Sequence, residues 1–321
     1  MSFTNCSGQN SNPGTFTPVP QKISIIRFDK DLHQYLKNPT QDNLRGIQIK
    51  YKDFLPAFGR ITINNSDSYK PEFYTRIQQY FSNQILSRIY TDALNKFEDI
   101  TPYETELTNA NLILMEEYPD KNLPFLYMHV SGFKENAMVV EGVISISIDK
   151  YLGVDYPVYK QFFEDFQLLQ MQPKMIVRDY LRAWLLSDIL PADKKNPHLL
   201  DQMIKEGKIL YALSKLLPDW NPEDLLGYTT EQLTWCRENE KNIWKVVVEK
   251  NHLYEQDYQI INRYMNDAAF TAPLTPDSPG RVGAWLGWQI VNAYVTKNNT
   301  SLSQLSNVEA QQILKSSGYN P

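Results

Sequence analysis

The sequence predicts a helix-rich α+β domain with a small sheet, and three observations lead there. Apolar residues recur at three- and four-residue spacing over long segments, the period of an amphipathic helix. One island, Leu123 to Val130 and Met138 to Ile148, breaks that period with β-branched residues in partial alternation, as strands do. Hydrophobic residues fill 42% of the 321 positions, enough for a sizeable core.

In chain order, residues 1–20 come first. They are rich in Ser, Asn, Gly, Thr and Pro and almost uncharged, so they bury too little apolar surface to offset the entropy of ordering; a flexible tether is expected. Cys6 stands near the head of that tether, in Phe3-Thr4-Asn5-Cys6-Ser7-Gly8. Two readings fit it: the lipidated cysteine of a bacterial lipoprotein signal, whose charged and apolar stretches would lie upstream, or a chance cysteine in a loose tail.

No repeat or low-complexity linker divides residues 21–321, and a single domain is expected there. Ile23, Ile25, Ile26 and Phe28 open an apolar stretch that continues through Leu32, Tyr35 and Leu36 at helical spacing. Tyr69 to Ile100 reads as two helices, and Ile113 to Met115 as the end of a helix or the start of a strand. Beyond the strands, helices are expected over Tyr159–Met171, Lys174–Ile189, Pro197–Leu216, Glu231–Glu249 and Arg281–Thr296. Asn196-Pro197 and Ser278-Pro279 resemble a cap followed by a first-turn proline, and Thr229 with Gln232 makes a capping box. Asp267 to Gly280, heavy in Ala, Pro and Thr, is expected to be a surface loop.

Composition excludes several function classes. A net charge of −5 without a long basic run gives no reason to seek a phosphate backbone, so nucleic acid is excluded as a partner. No run approaches 18 consecutive apolar residues. Two cysteines are too few for a disulfide framework or a cysteine zinc site, and no phosphate-binding or serine-nucleophile motif is present. His33, His129, His198 and His252 are too far apart for two to share a helix turn. Cys236, between Trp235 and Arg237, reads as a small buried hydrophobe, and the adjacent Glu116 and Glu117 as solvated.

Two features remain. Gly280, Gly283 and Gly287 leave one helix face bare at a cost of about 1 kcal/mol per glycine, so another backbone is expected to approach closely there. Arg178 and Arg182 stand four apart on one helix face with Asp179 beside them, and Glu206-Gly207 follows on the next helix. These charges make either a solvated face or an ionic cluster.

Those residues carry a resemblance. Met175 to Leu185, Leu200 to Tyr211, Gly227 to Thr229, Trp235 to Glu240 and Ser278 to Val291, with Ile26 to Leu32 and Ser316 to Pro321 at the ends, resemble the GldB family, gliding-motility-associated lipoproteins of Bacteroidetes. The resemblance strengthens the lipid-attachment reading of Cys6 and implies a membrane-anchored lipoprotein facing the periplasm. That family is distantly similar to zinc peptidases with a His-Glu-x-x-His helix and a later Glu-Gly pair. On this sequence the histidines fall at Arg178 and Arg182, the glutamate at Asp179 and the later ligand at Glu206. Arginine stays protonated and offers a metal no lone pair, so the resemblance implies a degenerate zincin-like domain with a vestigial site, no metal and no cofactor.

Two functions follow from it. One is a non-enzymatic envelope lipoprotein that binds an envelope protein or a glycan and touches the membrane only through its lipid. The other is an active hydrolase, a peptidase or glycosidase using unforeseen metal ligands or Asp179 and Glu206 as paired carboxylates. Flanking arginines would depress those carboxyl pKa values and spoil a general acid. The ionic reading places Arg178 or Arg182, or both, against Glu206 and Asp179 in a partly buried cluster bridging the two helices.

Overall fold

The computed structural model describes residues 22–192 and 194–321. The tether expected at residues 1–20, with Cys6, lies outside the described residues. Strand β1 (Ile25–Ile26) leads into helices α1 (Phe28–Lys37), α2 (Gln41–Lys50), α3 (Leu55–Ile63), α4 (Pro71–Phe81), α5 (Gln84–Lys96) and α6 (Thr101–Glu117). Strands β2 (Phe125–His129), β3 (Ala137–Val140) and β4 (Val143–Ser147) follow. The rest is helical: α7 (Asp165–Leu168), α8 (Met175–Trp184), α9 (Leu199–Leu216), α10 (Pro222–Leu226), α11 (Thr230–Glu238), α12 (Glu240–Glu249), α13 (Tyr258–Met265), α14 (Val282–Asn298), α15 (Leu302–Ser306) and α16 (Ala310–Ser317). The architecture is α+β, helix-rich, around a four-stranded sheet.

The sheet runs β1-β2-β4-β3. β1 and β4 pair parallel with β2, and β3 pairs antiparallel with β4 at the edge, in register Ala137 with Ile146 and Val139 with Ile144. The expected alternation is only partial because β4 is buried on both faces: Ile144 and Ile146 on one, Ser145 and Ser147 on the other. Buried serines need partners. Ser145 Oγ meets the Nδ1 of buried His129 at 2.7 Å, and Ser147 donates to Asp149 at 2.6 Å.

Helix α8 packs against β3 and β4, and α9 lies between α8 and α14. Ile176, Val177, Tyr180, Leu181 and Trp184 are the apolar face of α8 and are wholly buried, which leaves Arg178, Asp179 and Arg182 to its other side.

Several expected boundaries moved, each for a tertiary reason. Tyr159–Met171 is not one helix. The Tyr159 hydroxyl accepts from Leu152 N–H and donates to Asp149 C=O, Gly153 bonds Met171 C=O, and only a short turn and α7 form. The helix expected over Lys174–Ile189 is α-helical to Trp184 and then widens into a π turn, Leu185–Ile189. Helix α9 begins after Pro197, because Asp201 accepts from His198 N–H while Leu199 N–H bonds Glu255 C=O. Asn239 divides Glu231–Glu249 into α11 and α12. Ser278 is not the cap of α14: its hydroxyl bonds Thr271 and Thr275, and the cap position falls to Arg281. The Asp267–Gly280 segment is only half a surface loop, since Thr271 and Ser278 to Gly280 are buried. Thr229 and Gln232 do form the capping box of α11.

Candidate functional site

Where α8, α9, the edge of β3 and the head of α14 meet, they leave a cleft of about 680 Å³. Arg178, Asp179 and Arg182 line it from α8, and Glu206 from α9. Asn136 and Ala137 line it from β3 and the residue before it, and Asp267 and Arg281 from the loop before α14. All four residues assigned to the vestigial site by the zinc-peptidase resemblance therefore face one cavity.

Each arginine lies against one of the two carboxylates, and one of them makes the expected bridge between the helices. Arg182 alone bridges the helices: its two Nη atoms donate to the two Glu206 oxygens at 2.8 and 2.6 Å, a bidentate fork. Arg178 stays with its neighbour, Nε to Asp179 Oδ1 at 2.9 Å, and reaches Gln170 Oε1 at 2.7 Å and the Asp224 carbonyl at 3.1 Å. The other Asp179 oxygen accepts from Tyr151 OH at 2.7 Å. The geometric reason is helical. Four residues, about 6 Å along the axis, separate Arg178 from Arg182, and only Arg182 comes opposite Glu206.

The second arginine at Glu206 is Arg281. It lies 3.6 Å from Glu206 Oε2 and 3.5 Å from Asp267 Oδ1. Its backbone is left-handed, φ 58°, a strained region for a residue with a side chain. Neighbours hold it there. Tyr228 OH donates to the Gly280 carbonyl at 2.6 Å, Thr271 Oγ1 donates to the Pro279 carbonyl at 2.7 Å, and Val282 N–H donates to Thr271 Oγ1 at 3.2 Å.

Burial pushes the Glu206 carboxyl up, but the charge and hydrogen bonds of Arg182, with Arg281 and Lys205, more than reverse this, and its pKa is lowered. Burial likewise works against the Arg182 cation, and Glu206 overcomes it. A carboxylate held ionised by a forked arginine is a poor general acid, and as a base it has its oxygens engaged. Asp179 also has both oxygens bonded. Among the described residues no group of three or more His, Cys, Asp or Glu side chains is assembled that could hold a metal ion. Cys236 is wholly buried, and burial lifts its thiol to about 12, far from nucleophilic. Glu116 is exposed, whereas Glu117 is half-buried and accepts from Leu302 N–H at 3.0 Å, the first turn of α15.

The glycines pack against backbone and side chains. A Cβ on Gly287 would fall 1.8 Å from the Met203 carbonyl oxygen, and one on Gly207 would fall 2.3 Å from the Gly287 carbonyl oxygen. Gly283 faces Met265 and Tyr264, and Gly280 faces the Ala268 carbonyl. Gly207 is thus the α9 half of the contact that fixes Glu206 over the cleft.

A family model matches nearly the whole chain: that of gliding motility protein GldB covers residues 9–321. The chain belongs to the GldB family. No curated protein and no solved structure matches it. Within this GldB family member, sequence reasoning missed Arg281, Asp267, Gln170 and Tyr151. They come from loops and from a helix break, where no periodicity marks a direction; the Glu206-Gly207 pair, with Gly287 on α14, was the one visible hint of close approach.

Proposed function

We propose that this GldB family member is an envelope lipoprotein, anchored through Cys6 and facing the periplasm, that acts by binding a partner in the α8–α9 cleft rather than by hydrolysis. One observation carries the reading: Arg182 forks onto Glu206 across the cleft, and these are residues onto which the resemblance lays the ligands of a zinc peptidase. Zinc needs three lone-pair donors and a water, and Arg178 and Arg182 supply none. Asp179 and Glu206 are already bonded, so the residues present do not fit the metal. The cleft is then a degenerate zincin-like site retained as a binding surface for an envelope protein or glycan. No helix among the described residues is long and apolar enough to cross a membrane, which is compatible with attachment by lipid.

The test uses the purified full-length chain with mixed peptide and glycan substrates, with and without added zinc. No turnover is expected in either condition; turnover abolished by Glu206→Gln would overturn the proposal. In cells the chain should fractionate with membranes, and Cys6→Ser should release it.

A further inference from the structure

One end of the sheet carries exposed apolar residues that neither the core nor the cleft uses. β1, β2 and β4 run parallel, so all three begin at that end, and β3 finishes there. In register, Phe125 lies beside Val143 and Val143 lies opposite Val140, so the three share one face of the sheet on neighbouring strands. Strands stand about 4.8 Å apart, which makes this an apolar row about 10 Å wide. Phe125 is 64% exposed, and Val140 and Val143 are half-buried. Val139, one residue earlier on β3 and on the opposite face, is 54% exposed. The row is fixed in place: Phe125 N–H donates to the Gly142 carbonyl in the β3–β4 turn at 3.0 Å, and Tyr180 OH donates to the Pro124 carbonyl.

The chain enters the fold at this same end. Ile25 pairs with Leu126, so continuing the register by one residue puts Ser24 beside Phe125, with Lys22 just outside the sheet. Cys6 stands sixteen positions before Lys22, a length of chain that spans at most about 58 Å. A lipid on Cys6 therefore keeps a bilayer within reach of this end. Tethering also turns a weak second contact into an intramolecular one, at an effective concentration on the order of millimolar. Glu141, exposed at the β3–β4 turn, carries a charge that hydrocarbon rejects, so the contact stops at the headgroup boundary.

We propose that this end of the sheet is a second membrane contact: Phe125, Val139, Val140 and Val143 settle into the headgroup boundary of the bilayer that holds the lipid. Seating the sheet this way fixes how the cleft is presented to a periplasmic partner. The proposal rests on the lipid-anchor reading above and not on what the cleft binds.

The test places an environment-sensitive NBD fluorophore on Val139→Cys in the lipidated full-length chain, held in vesicles of phosphatidylethanolamine and phosphatidylglycerol. Cys236 is wholly buried and Cys6 carries the lipid, so the new thiol takes the label. Emission should shift to the blue relative to the same label on the soluble Cys6→Ser chain, and Phe125→Glu should abolish the shift while the chain stays on the vesicles. Phe162 supplies the control: it is 55% exposed and packs on Phe133, beyond the other end of β2, and a label on Phe162→Cys should not shift. No shift at Val139, a shift that survives Phe125→Glu, or an equal shift at Phe162 would overturn the contact. A Val139 label already blue in the soluble chain would give the patch to residues 1–21 or to a second copy, and would overturn it too. A wild-type chain that does not fractionate with membranes would sink the anchor and this proposal together, whereas fractionation without a shift at Val139 sinks the proposal alone.

Discussion

Helix α9 meets α14 through Gly207 and meets α8 through Glu206, one residue earlier, and the two contacts are held by different forces. At the first, backbone lies on backbone: Gly207 and Gly287 leave no room for a methyl group, and the contact depends on shape. At the second, a charged fork joins partly exposed side chains beside a cleft, and the contact depends on charge. Shape tolerates no substitution but is indifferent to pH. Charge tolerates moderate change but follows titration. A protein that must keep a cleft at a fixed width while leaving it open to a partner has use for both.

The largest expected effect follows from the first contact. Gly287→Ala drives a methyl into the Met203 carbonyl, a fixed backbone atom, and should cost about 3 kcal/mol, the upper end for overpacking, in chemical denaturation. A wild-type denaturation curve would mean the helices separate freely and the contrast is false.

Arg182→Ala comes next. It leaves Glu206 with only the longer Arg281 contact, and about 2–3 kcal/mol should be lost. This is less than for a fully buried pair, because Arg182 and Glu206 are 28% and 16% exposed. A loss as large as that of Gly287→Ala would erase the distinction between the contacts.

Titration sharpens it further. The Glu206 pKa is lower in the folded chain than the ordinary 4.5. Its ionised form therefore contributes stability that is full above pH 4.5 and is lost as pH falls through the folded value. In wild type minus Glu206→Gln, the stability difference should shrink on acidification through that window. The same difference taken with Gly287→Ala should stay flat.

The smallest effect is a control. Gly46 lies within α2, exposed, and a methyl group added there would meet no atom within 4 Å, so Gly46→Ala should stabilise by about 0.5–1 kcal/mol. A melting-temperature rise for Gly46→Ala beside a fall for Gly287→Ala would show that packing, not glycine itself, sets the sign.

The same division explains what the sequence revealed. Period and composition announced α8, α9, α14 and the β-branched island, because burial imposes them on many residues at once. Close approach at Gly287 was legible from glycine's helix cost, although its partner, Gly207, is remote in sequence. The pairing in the cleft was legible only as an arginine of α8 lying against Glu206. That Arg182 rather than Arg178 faces Glu206 depends on a single helix turn, and Arg281 depends on a left-handed residue held by Thr271 and Tyr228. Helix starts at Pro197 and Ser278 misled for the same reason: a cap residue with a tertiary partner is no longer a cap.

On the proposed function, arginines stand where metal ligands would be and turn the site to binding. Thermal melting with and without zinc tests this most directly, for wild type and for the combined variant Arg178→His, Asp179→Glu, Arg182→His. Wild type should melt at the same temperature with or without zinc, while the variant, given Glu206 on the facing helix, should gain a zinc-dependent rise in melting temperature. Zinc stabilisation of wild type, or a folded variant indifferent to zinc, would contradict the claim.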